Sequence, residues 1–443
     1  MGSKRLEMRR ISLKNAVEFI VDNRGKSAPT ESSGIVLIAT NCVNNRDLYP
    51  RKESVRFVSQ HTYDNWFRAH PIPGDILLTN KGSQNGAVCL VPRSVDFCIA
   101  QDMVALRADS TKIVPLYLFA ALRSDLIQKR IKALNVDAVI PHFKKTDFDK
   151  LLIPLPDLVT QDYIGNLYFE LSSRIELLRN INITLEGIAQ ALFKSWFVDF
   201  DPVRAKQEGR EPEGMDVETA ALFPDSFEES ELGTVPKGWQ VLPLGEAVDT
   251  VGGGTPNTKE PEFWEPPEFS WTTPKDLSGL QSPVLLKTER LLSAIGVSKV
   301  SSGLLPKGTL LLSSRAPIGY LAITQIPLSI NQGYIAMLPS SQLPPLYMLF
   351  WCRQNMEIIK SRSNGSTFME ISKKAFRPIP VIVPPNQVLS AYLGVAGPVF
   401  NRLVENEKQA QTLITIRDTM LPRLISGQLR LPNAEVQVEE AAA

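Results

Sequence analysis

The sequence predicts an α+β protein in which two similar mixed α/β domains are separated by two long helices that form an antiparallel coiled coil. Two observations lead to this fold class. Almost the whole chain is an internal repeat of one long segment order, and each copy is followed by apolar residues at seven-residue spacing. A repeat of this length indicates whole domains, and heptad spacing indicates helices that pair along a seam.

The repeat relates residues roughly 10–200 to residues roughly 240–430. Aligned pairs are Leu13 with Leu244, Gly74 with Gly308, Gln101 with Gln332, and Phe148 with Phe376. Their offsets are 231, 234, 231 and 228. Solenoid units recur every 20–50 residues or so, which is far shorter. We therefore expect two similar surfaces that bind two similar things, or one thing with two similar parts.

Composition and proline positions divide the chain into six segments. Each domain contains short β-rich runs separated by Gly, Pro and Asn turns. Each domain ends in a Pro-rich exit, because proline continues neither the hydrogen bonding of a β-sheet nor the interior of a helix. The predicted segments are domain one (1–158), a first spacer helix (159–200), an acidic linker (201–234), domain two (235–384), a second spacer helix (385–428) and a disordered tail (429–443).

Heptad rows define the predicted spacer helices. The first helix has one row at Ile164, Leu171, Leu178, Leu185 and Leu192, and a second at Leu167, Arg174, Ile181, Ile188 and Ser195. The rows of the second helix are Tyr392, Val399, Asn406, Leu413 and Met420, and Ala396, Leu403, Ala410, Arg417 and Leu424. Gly397-Pro398 predicts that its continuous part begins only near Pro398. A 40-residue helix is about 60 Å long, so the pair would fix the distance between the domains.

Charge and cysteine usage limit the partners and the compartment. The net charge of +1 combines an acidic segment, 208–231, at −8 with two basic domains. Two basic domains on an acidic linker fit an anionic partner, although ordinary surface charge gives the same balance. Four cysteines without C-x-x-C spacing, no signal segment and no apolar run near 18 residues predict a cytoplasmic protein that does not enter a membrane.

Motifs for autonomous catalysis are absent from the sequence. None of the three Pro-Pro pairs has the flanking residues of a [DNS]-P-P-[YFW] methyltransferase clamp, and no phosphate-cradling G-x-x-x-x-G-K-[ST] loop occurs. No lysine has an acid two residues before it, as a [DE]-x-K nuclease element requires, and the second half has no histidine for a triad. The three histidines also lack zinc-site spacing. We therefore expect a non-enzyme without a metal site.

Three pairs of polar loops occupy equivalent places in the two halves. They are 21–26 with 251–264, 39–46 with 271–277, and 80–86 with 314–319. Glycine in such loops allows close backbone approach, while Arg, Lys, Asn and Thr supply donors for phosphates and base edges. Polar loops of this kind usually only turn a chain. Three at matching positions, with different residues, favour one scaffold that reads two sequences.

The chain resembles the DNA-specificity subunit of type I restriction–modification systems over nearly its whole length. The most specific stretches are 185–197 (LEGIAQALFKSWF) and 416–427 (IRDTMLPRLISG); 22–26, 74–86, 253–264, 271–277, 329–333, and 365–367 with 371–374 add to them. The resemblance implies two target-recognition domains, each reading one half of a split DNA site, and paired helices that dock two adenine-N6 methyltransferase subunits. It also implies ATP-dependent restriction subunits. S-adenosylmethionine, ATP and Mg are then expected in those partners, and no cofactor in this chain.

Two places depart from the family pattern. The first half has Asn135–His142 where the second has Gly365-Ser366-Thr367, and Gly397-Pro398 interrupts the second helix. They put the inner edge of domain one and the length of the second helix in question.

The resemblance and the loop positions together name the expected DNA-reading residues. In the first half they are Arg24, Lys26, Asn41, Lys81 and Gln84; in the second they are Thr255, Thr258, Lys259, Thr272, Lys275 and Arg315. Arg315 and Lys81 suit guanine, Asn41 and Gln84 suit adenine, and the other lysines suit phosphate. The expected helix-pairing residues are Ile164, Leu171, Leu178, Leu185, Leu192, Val399, Leu403, Leu413, Met420 and Leu424.

Two other functions remain open from the sequence. One is a self-sufficient modification or restriction enzyme, which intrinsic methyl transfer or cleavage by the purified chain would reveal. The other is a stand-alone two-headed DNA-binding protein, for instance an antirestriction decoy, which partner-free binding to a bipartite site would favour.

Overall fold

Two copies of one fold account for most of the chain. The computed structural model describes residues 9–23, 25–134, 141–365 and 369–429. The chain divides into unit 1, residues 1–177 with 410–443, and unit 2, residues 178–409. The predicted tail after Leu429 and most of the departure at 135–142 lie outside the described residues.

Unit 1 contains nine strands and the shorter helices of the first half. Its strands are β1 (Arg10–Ser12), β2 (Val17–Val21), β3 (Ile35–Ile38), β4 (Arg56–Val58), β5 (Ile76–Thr79), β6 (Val88–Leu90), β7 (Phe97–Ile99), β8 (Met103–Ala108) and β9 (Leu152–Pro154) among the described residues. Its helices are α1 (Leu13–Ala16), α2 (Gln60–Trp66), α3 (Pro115–Arg123) and α4 (Asp125–Ala133), with 3-10 turns at Thr40–Cys42 and Lys145–Asp147. The helix α5 (Leu158–Phe197) begins here and continues into unit 2.

Unit 2 begins within α5 and contains three short elements before the second copy. These are α6 (Asp201–Gln207), α7 (Val217–Ala221) and the hairpin β10 (Phe227–Ser230) with β11 (Gly233–Pro236). The strands of the second copy are β12 (Gln240–Pro243), β13 (Thr250–Val251), β14 (Phe269–Thr272), β15 (Val284–Leu285), β16 (Arg290–Leu292), β17 (Leu310–Ser313), β18 (Leu321–Thr324), β19 (Ser329–Ile330), β20 (Tyr334–Met337) and β21 (Pro380–Val383). Its helices are α8 (Leu244–Ala247), α9 (Pro274–Leu277), α10 (Ala294–Ser298), α11 (Pro345–Gln354), α12 (Met356–Ser361), α13 (Lys373–Phe376) and the first part of α14 (Asn386–Ile425), with a 3-10 turn at Pro261–Phe263.

The two copies share one sheet topology, except that β15 adds a fifth strand to the main sheet of unit 2. Unit 1 has sheets β2-β8-β5-β6, β4-β3-β7 and β1-β9, and unit 2 has β13-β20-β17-β18-β15, β16-β14-β19 and β12-β21. The pairing directions also match: β3 and β14 each run parallel to one neighbour, β7 or β19, and antiparallel to the other. The central strands β5 and β17 are buried on both faces, which explains why their first three residues, ILL and LLL, are all apolar and do not alternate with polar ones. The predicted pair of similar mixed domains is confirmed.

The long helices α5 and α14 pair within each unit. In unit 1 the first part of α5 packs its Ile164 and Tyr168 into one core with Met420 and Leu424, from the last part of α14. In unit 2 the remainder of α5 meets the first part of α14 at Asn182 and Asn406. Residue number rises along one helix as it falls along the other, so the pairing is antiparallel, as the fold class predicted.

Burial along the helices shows which heptad rows form the seam. In the first predicted row, Ile164 and Leu178 are buried and Leu171, Leu185 and Leu192 are half-buried. On α14, Leu403, Met420 and Leu424 are buried, and Val399 and Leu413 are half-buried. The second row predicted for α5 is wrong, because Arg174 and Ile188 are exposed. The buried row lies one residue later, at Tyr168, Ile175, Asn182, Ala189 and Trp196. The second row of a heptad can lie three or four residues after the first, and both arrangements have a mean period of 3.5 residues. Periodicity alone therefore does not decide which of the two rows is buried.

The helix α14 continues through Gly397-Pro398, so the predicted later start near Pro398 is wrong. Proline removes one backbone donor and crowds the carbonyl four residues earlier, here that of Gly394. Both Pro398 and Gly394 are exposed, and nothing lies within 4 Å of a Cβ placed on Gly394. Water therefore reaches the freed carbonyl, and the apolar face on the opposite side keeps the helix in place.

The segment between the copies is anchored by aromatic side chains. Phe200, Phe223 and Trp239 are buried with Trp196 and Phe197, from the end of α5, in the main core of unit 2. The ring centroids lie 5.1–6.3 Å apart in four pairs: Trp196 with Phe223, Phe197 with Trp239, Phe200 with Trp239, and Phe223 with Trp239. The nine acids of residues 208–231 are all exposed. The predicted linker therefore combines an acidic surface with the buried anchor Phe223, and Phe200 and Trp239 anchor the chain on either side of it.

Candidate nucleic-acid interface

Three loops of unit 2 converge on residues 330–333, which we call junction 2. The amide of Gly254 donates to the Ile330 carbonyl at 3.0 Å, the amide of Asn331 donates to the Thr272 carbonyl at 3.0 Å, and the amide of Ser314 donates to the Gly333 carbonyl at 2.8 Å. Each of these contacts ties a different predicted reading loop to the same four residues. Junction 2 thus brings the three loops together at one end of β19.

Unit 1 repeats these three contacts on residues 99–102, which we call junction 1. The side-chain amide of Asn23 donates to the Ile99 carbonyl at 2.9 Å. The amide of Ala100 donates to the Ile38 carbonyl at 2.8 Å, and that of Asn80 to the Asp102 carbonyl at 3.0 Å. The first contact differs in chemistry from its counterpart, because a side chain in unit 1 takes the place of the Gly254 backbone amide. The loops of the two units are therefore anchored at equivalent points by different residues.

The first loop of unit 2 lies against its junction through glycine. A Cβ on Gly253 would lie 1.8 Å from the Ile330 carbonyl oxygen, so only glycine permits this approach. The Thr255 hydroxyl donates to Gln332 Oε1 at 2.6 Å. Thr255, Thr258 and Lys259 are exposed on this loop. The loop is held at its base and presents its polar side chains to solvent.

Two tryptophans support the far end of the same loop. The indole of Trp264 donates to the Asn257 carbonyl at 3.1 Å, and that of Trp271 to the Gly254 carbonyl at 3.2 Å. Their rings meet edge to face at 5.4 Å, and the Arg290 guanidinium lies 3.7 Å from the Trp264 ring centroid. These contacts hold the loop shape without using the exposed threonines and Lys259.

In unit 1 the described part of the first loop exposes Lys26. Arg24, predicted as a DNA reader, lies outside the described residues. In the second loop, Asn41 is exposed and its side-chain oxygen has only a weak contact, 3.8 Å from the Cys42 thiol sulfur. Both described positions are open to a partner.

The second loop of unit 2 separates its two predicted readers. Lys275 is exposed, and an ion pair with Glu289 at 2.8 Å raises its pKa. Thr272 is fully buried, with its hydroxyl 3.1 Å from that of Tyr334 and 3.2 Å from Asp276 Oδ2. Burial raises the pKa of Tyr334. Contrary to the sequence-based expectation, Thr272 is not available at the surface, because β14 turns its side chain into the core.

The third loops carry one weakly paired cation each. Lys81 Nζ lies 3.9 Å from Asp102 Oδ1, and Arg315 Nη1 lies 3.6 Å from Glu370 Oε2. All four side chains are more than a third exposed, so solvent screens both pairs. Gln84 is exposed beside Lys81. Both ion pairs are therefore weak, and the two cations are accessible to solvent.

Comparison with known proteins identifies this arrangement. The family described as type I restriction modification DNA specificity domain matches residues 31–187 and 236–389, one match in each copy. The chain belongs to this family. The resemblance read from the sequence is confirmed, and with it a non-catalytic, DNA-specificity role in a type I restriction–modification system.

Individual relatives agree with the family assignment of this specificity chain. It is 26% identical over 406 residues to the HindI specificity subunit of a type I restriction enzyme from Haemophilus influenzae, covering 80% of this chain and 86% of that one. It is 34% identical over 190 residues to the MjaIX specificity subunit from Methanocaldococcus jannaschii, covering 42% and 44%. The fold matches the crystal structure of the S subunit from M. genitalium with a TM-score of 0.55 at 18% identity, over 95% of this chain and 97% of that one.

Two lysines that the sequence-based list does not contain lie beside the first loops of the specificity domains. Lys145 forms an ion pair with Asp22 at the start of the first loop of unit 1. Lys373 Nζ lies 3.3 Å from the position that a Cβ on Gly252 would take, at the start of the first loop of unit 2. The aligned pair Phe148 and Phe376, at an offset of 228, already places these lysines opposite each other in the repeat. They are distant in sequence from the loops, so loop composition alone did not indicate them.

Other kinds of site receive no support from the described part of the chain. No group of three or more His, Cys, Asp or Glu side chains there is arranged to hold a metal ion. Among the same residues, no helix combines the length and the apolar character needed to cross a membrane.

Proposed function

We propose that each specificity domain reads one half of an asymmetric, bipartite DNA site. The observation that carries this proposal is the repeated junction, which positions three loops alike in both units while their exposed side chains differ. One scaffold with two sets of reading residues suits two unlike half-sites. The bases between the half-sites are then left unread.

The exposed loop residues divide by chemistry into base and phosphate contacts. Arg315 and Lys81 suit the acceptor pair of guanine, and Asn41 and Gln84 suit the donor and acceptor edge of adenine. Lys26, Lys259 and Lys275 suit phosphates, while Thr255 and Thr258 offer hydroxyls to either. Thr272 takes no part, since it is buried.

The helices α5 and α14 provide the surface for the rest of the complex. Ile183 and Ile188 on α5 are 65% and 53% exposed, although they are large and apolar. We infer that a protein partner covers these two side chains in the assembled complex. In this proposal two adenine-N6 methyltransferase subunits dock on the helices, and restriction subunits join through them. S-adenosylmethionine, ATP and Mg then bind in those partners.

Sequencing that detects modified bases tests the proposal directly. DNA from cells expressing this chain with its co-encoded methyltransferase and restriction subunits should carry methyladenine in one asymmetric split motif. Cells lacking only this chain should have lost that mark. An unchanged methylation pattern refutes a specificity role in that complex, and tight partner-free binding to a split site would then favour a stand-alone or decoy function.

Arg315 tests the assignment of reading residues to half-sites. Arg315→Ala should weaken binding by about 1–3 kcal/mol and relax only the second half-site, because one bidentate base contact is lost. Competition binding against libraries randomised in either half-site measures this. The control is Arg210→Ala, which removes an exposed arginine of the acidic segment in the same unit and should leave both half-sites unchanged. Uniform weakening on every sequence would make Arg315 a phosphate contact.

A further inference from the structure

The two specificity domains place an equivalent lysine beside the first loop but surround it differently. Val21 and Val251 pair with Ala105 and Ala336, which occupy the same position in β8 and β20. The next residues, Asp22 and Gly252, are therefore structural equivalents. Lys145 and Lys373 are equivalents as well. The repeat thus contains a natural substitution of aspartate by glycine directly opposite a lysine.

The substitution changes what each lysine contacts. Lys145 is paired with the Asp22 carboxylate, and both side chains are about a third or more exposed. Within the described residues Lys373 has no recorded ion pair, and its side-chain end lies 3.3–3.8 Å from the Cβ position of Gly252. The neighbouring Arg377 is engaged elsewhere, donating to the Thr250 hydroxyl and carbonyl at 2.8 Å. Within the part of the chain that the structure describes, Lys373 therefore lies beside this end of the loop without a carboxylate partner.

We propose that Lys373 contacts a DNA phosphate at the second half-site, and that Asp22 withholds its equivalent Lys145 from the first. This rests on the proposed DNA-reading function. A lysine without a carboxylate partner neutralises a phosphate and releases a counterion, whereas a paired lysine must first exchange its partner. The two domains therefore bind the DNA backbone with unequal strength, and the second domain contributes more of the binding that does not depend on sequence.

The internal repeat supplies reciprocal variants. Asp22→Gly gives unit 1 the arrangement of unit 2, and Gly252→Asp does the reverse. The three atoms nearest to a Cβ at Gly252 all belong to the flexible end of Lys373, and the backbone there is not left-handed, so the exchange is sterically permitted. Lys145→Gln and Lys373→Gln remove each charge. Lys237→Gln, on an exposed residue of unit 2 outside the reading loops, is the matched control for loss of one positive charge.

The measurement is the affinity of the full-length chain for a mixed-sequence duplex between 50 and 200 mM salt. Lys373→Gln should make the fall of log affinity with log salt less steep by about 0.9. The loss of affinity over that salt range is then roughly 3–4-fold smaller than in the wild type. Gly252→Asp should give the same effect, with no further change in the double variant. Lys145→Gln should change the slope by less than half as much. Asp22→Gly should tighten DNA binding. Adding Lys145→Gln to Asp22→Gly should abolish that gain in affinity.

The results separate this inference from the proposed function. Equal slope changes for Lys145→Gln and Lys373→Gln, or a gain in Asp22→Gly that survives loss of Lys145, would overturn the inference. So would an effect of Lys373→Gln no larger than that of Lys237→Gln. Melting temperatures of all variants identify any that fail to fold, and Lys373→Arg should restore the slope if charge is what matters. A wild-type chain with no salt-dependent duplex binding would instead overturn the proposed function.

Discussion

The buried contact between Asn182 and Asn406 should determine how the two long helices of unit 2 fit together. The Asn406 amide donates to Asn182 Oδ1 at 2.9 Å, and the Asn182 amide donates to the Leu403 carbonyl at 3.2 Å. The two asparagine side chains are 3% and 1% exposed. The buried side chains of Asn182 and Asn406 form these hydrogen bonds in only one alignment of the two helices. A single asparagine pair in an apolar seam favours that alignment over neighbouring ones.

Asn406→Ala removes one hydrogen bond and leaves Asn182 Oδ1 buried without its donor. A buried polar group left unpaired costs about 1–3 kcal/mol. Asn182→Ala should cost at least as much, since it removes both hydrogen bonds. In a folding unit of 150–250 residues, about 1 kcal/mol corresponds to about 2–4 °C in melting temperature. We therefore expect the unit 2 transition to fall by roughly 2–12 °C for the single variants.

Calorimetry of the full-length chain measures these shifts, with Thr184→Ala as a control at an exposed position on the same helix. The double variant Asn182→Leu with Asn406→Leu should melt near or above wild type, because no polar group is left unpaired. It should also lose the unique helix alignment, which crosslinking between introduced cysteines would detect. Single alanine variants that melt with wild type would refute the reasoning, as would a leucine pair that keeps one alignment.

Three further outcomes follow from single positions. Gly253→Ala should abolish the DNA binding of the second domain, since its Cβ would overlap the Ile330 carbonyl, 1.8 Å away. Gly394→Ala should stabilise the chain by roughly 0.5–1 kcal/mol in urea unfolding, because nothing lies within 4 Å and alanine favours a helix. Burial lowers the pKa of His70 from 6.5, so the stability it contributes is complete above that pH and is lost as pH falls through 6.5 towards the folded-state pKa. His70→Gln should flatten the melting temperature over that window.

Each of these outcomes has a result that would contradict it. Normal discrimination at the second half-site by Gly253→Ala would mean that the loop does not depend on its junction. A destabilised Gly394→Ala would mean that the helix surface there is not open. For His70, whose Nε2 lies 3.1 Å from the Tyr63 carbonyl, an acid-side melting profile identical to that of the glutamine variant would show that folding does not shift the pKa of the imidazole.

The sequence was sufficient for the architecture because periodicity and repetition report directly on it. It was not sufficient to predict equivalent contacts that the two units make with chemically different groups. The side chain of Asn23 and the backbone of Gly254 make equivalent contacts, yet no residue-by-residue comparison relates an asparagine side chain to a glycine amide. Thr272 was predicted at the surface because polar residues after strands usually lie there. Its burial depends on Tyr334, which is 62 residues away.

The assignment of α5 to two cores has a consequence for chimeric proteins. The first part of α5 contributes Ile164 to the core of unit 1, while Phe193 and Trp196 near its end belong to the core of unit 2. An exchange of halves made at the first proline exit, residues 153–156, would separate Ile164 from the core of unit 1 to which it belongs. Crossovers within the helices, between 177 and 178 and between 409 and 410, leave each core with its own side chains. Hybrid subunits with new DNA targets should therefore be joined inside the helices.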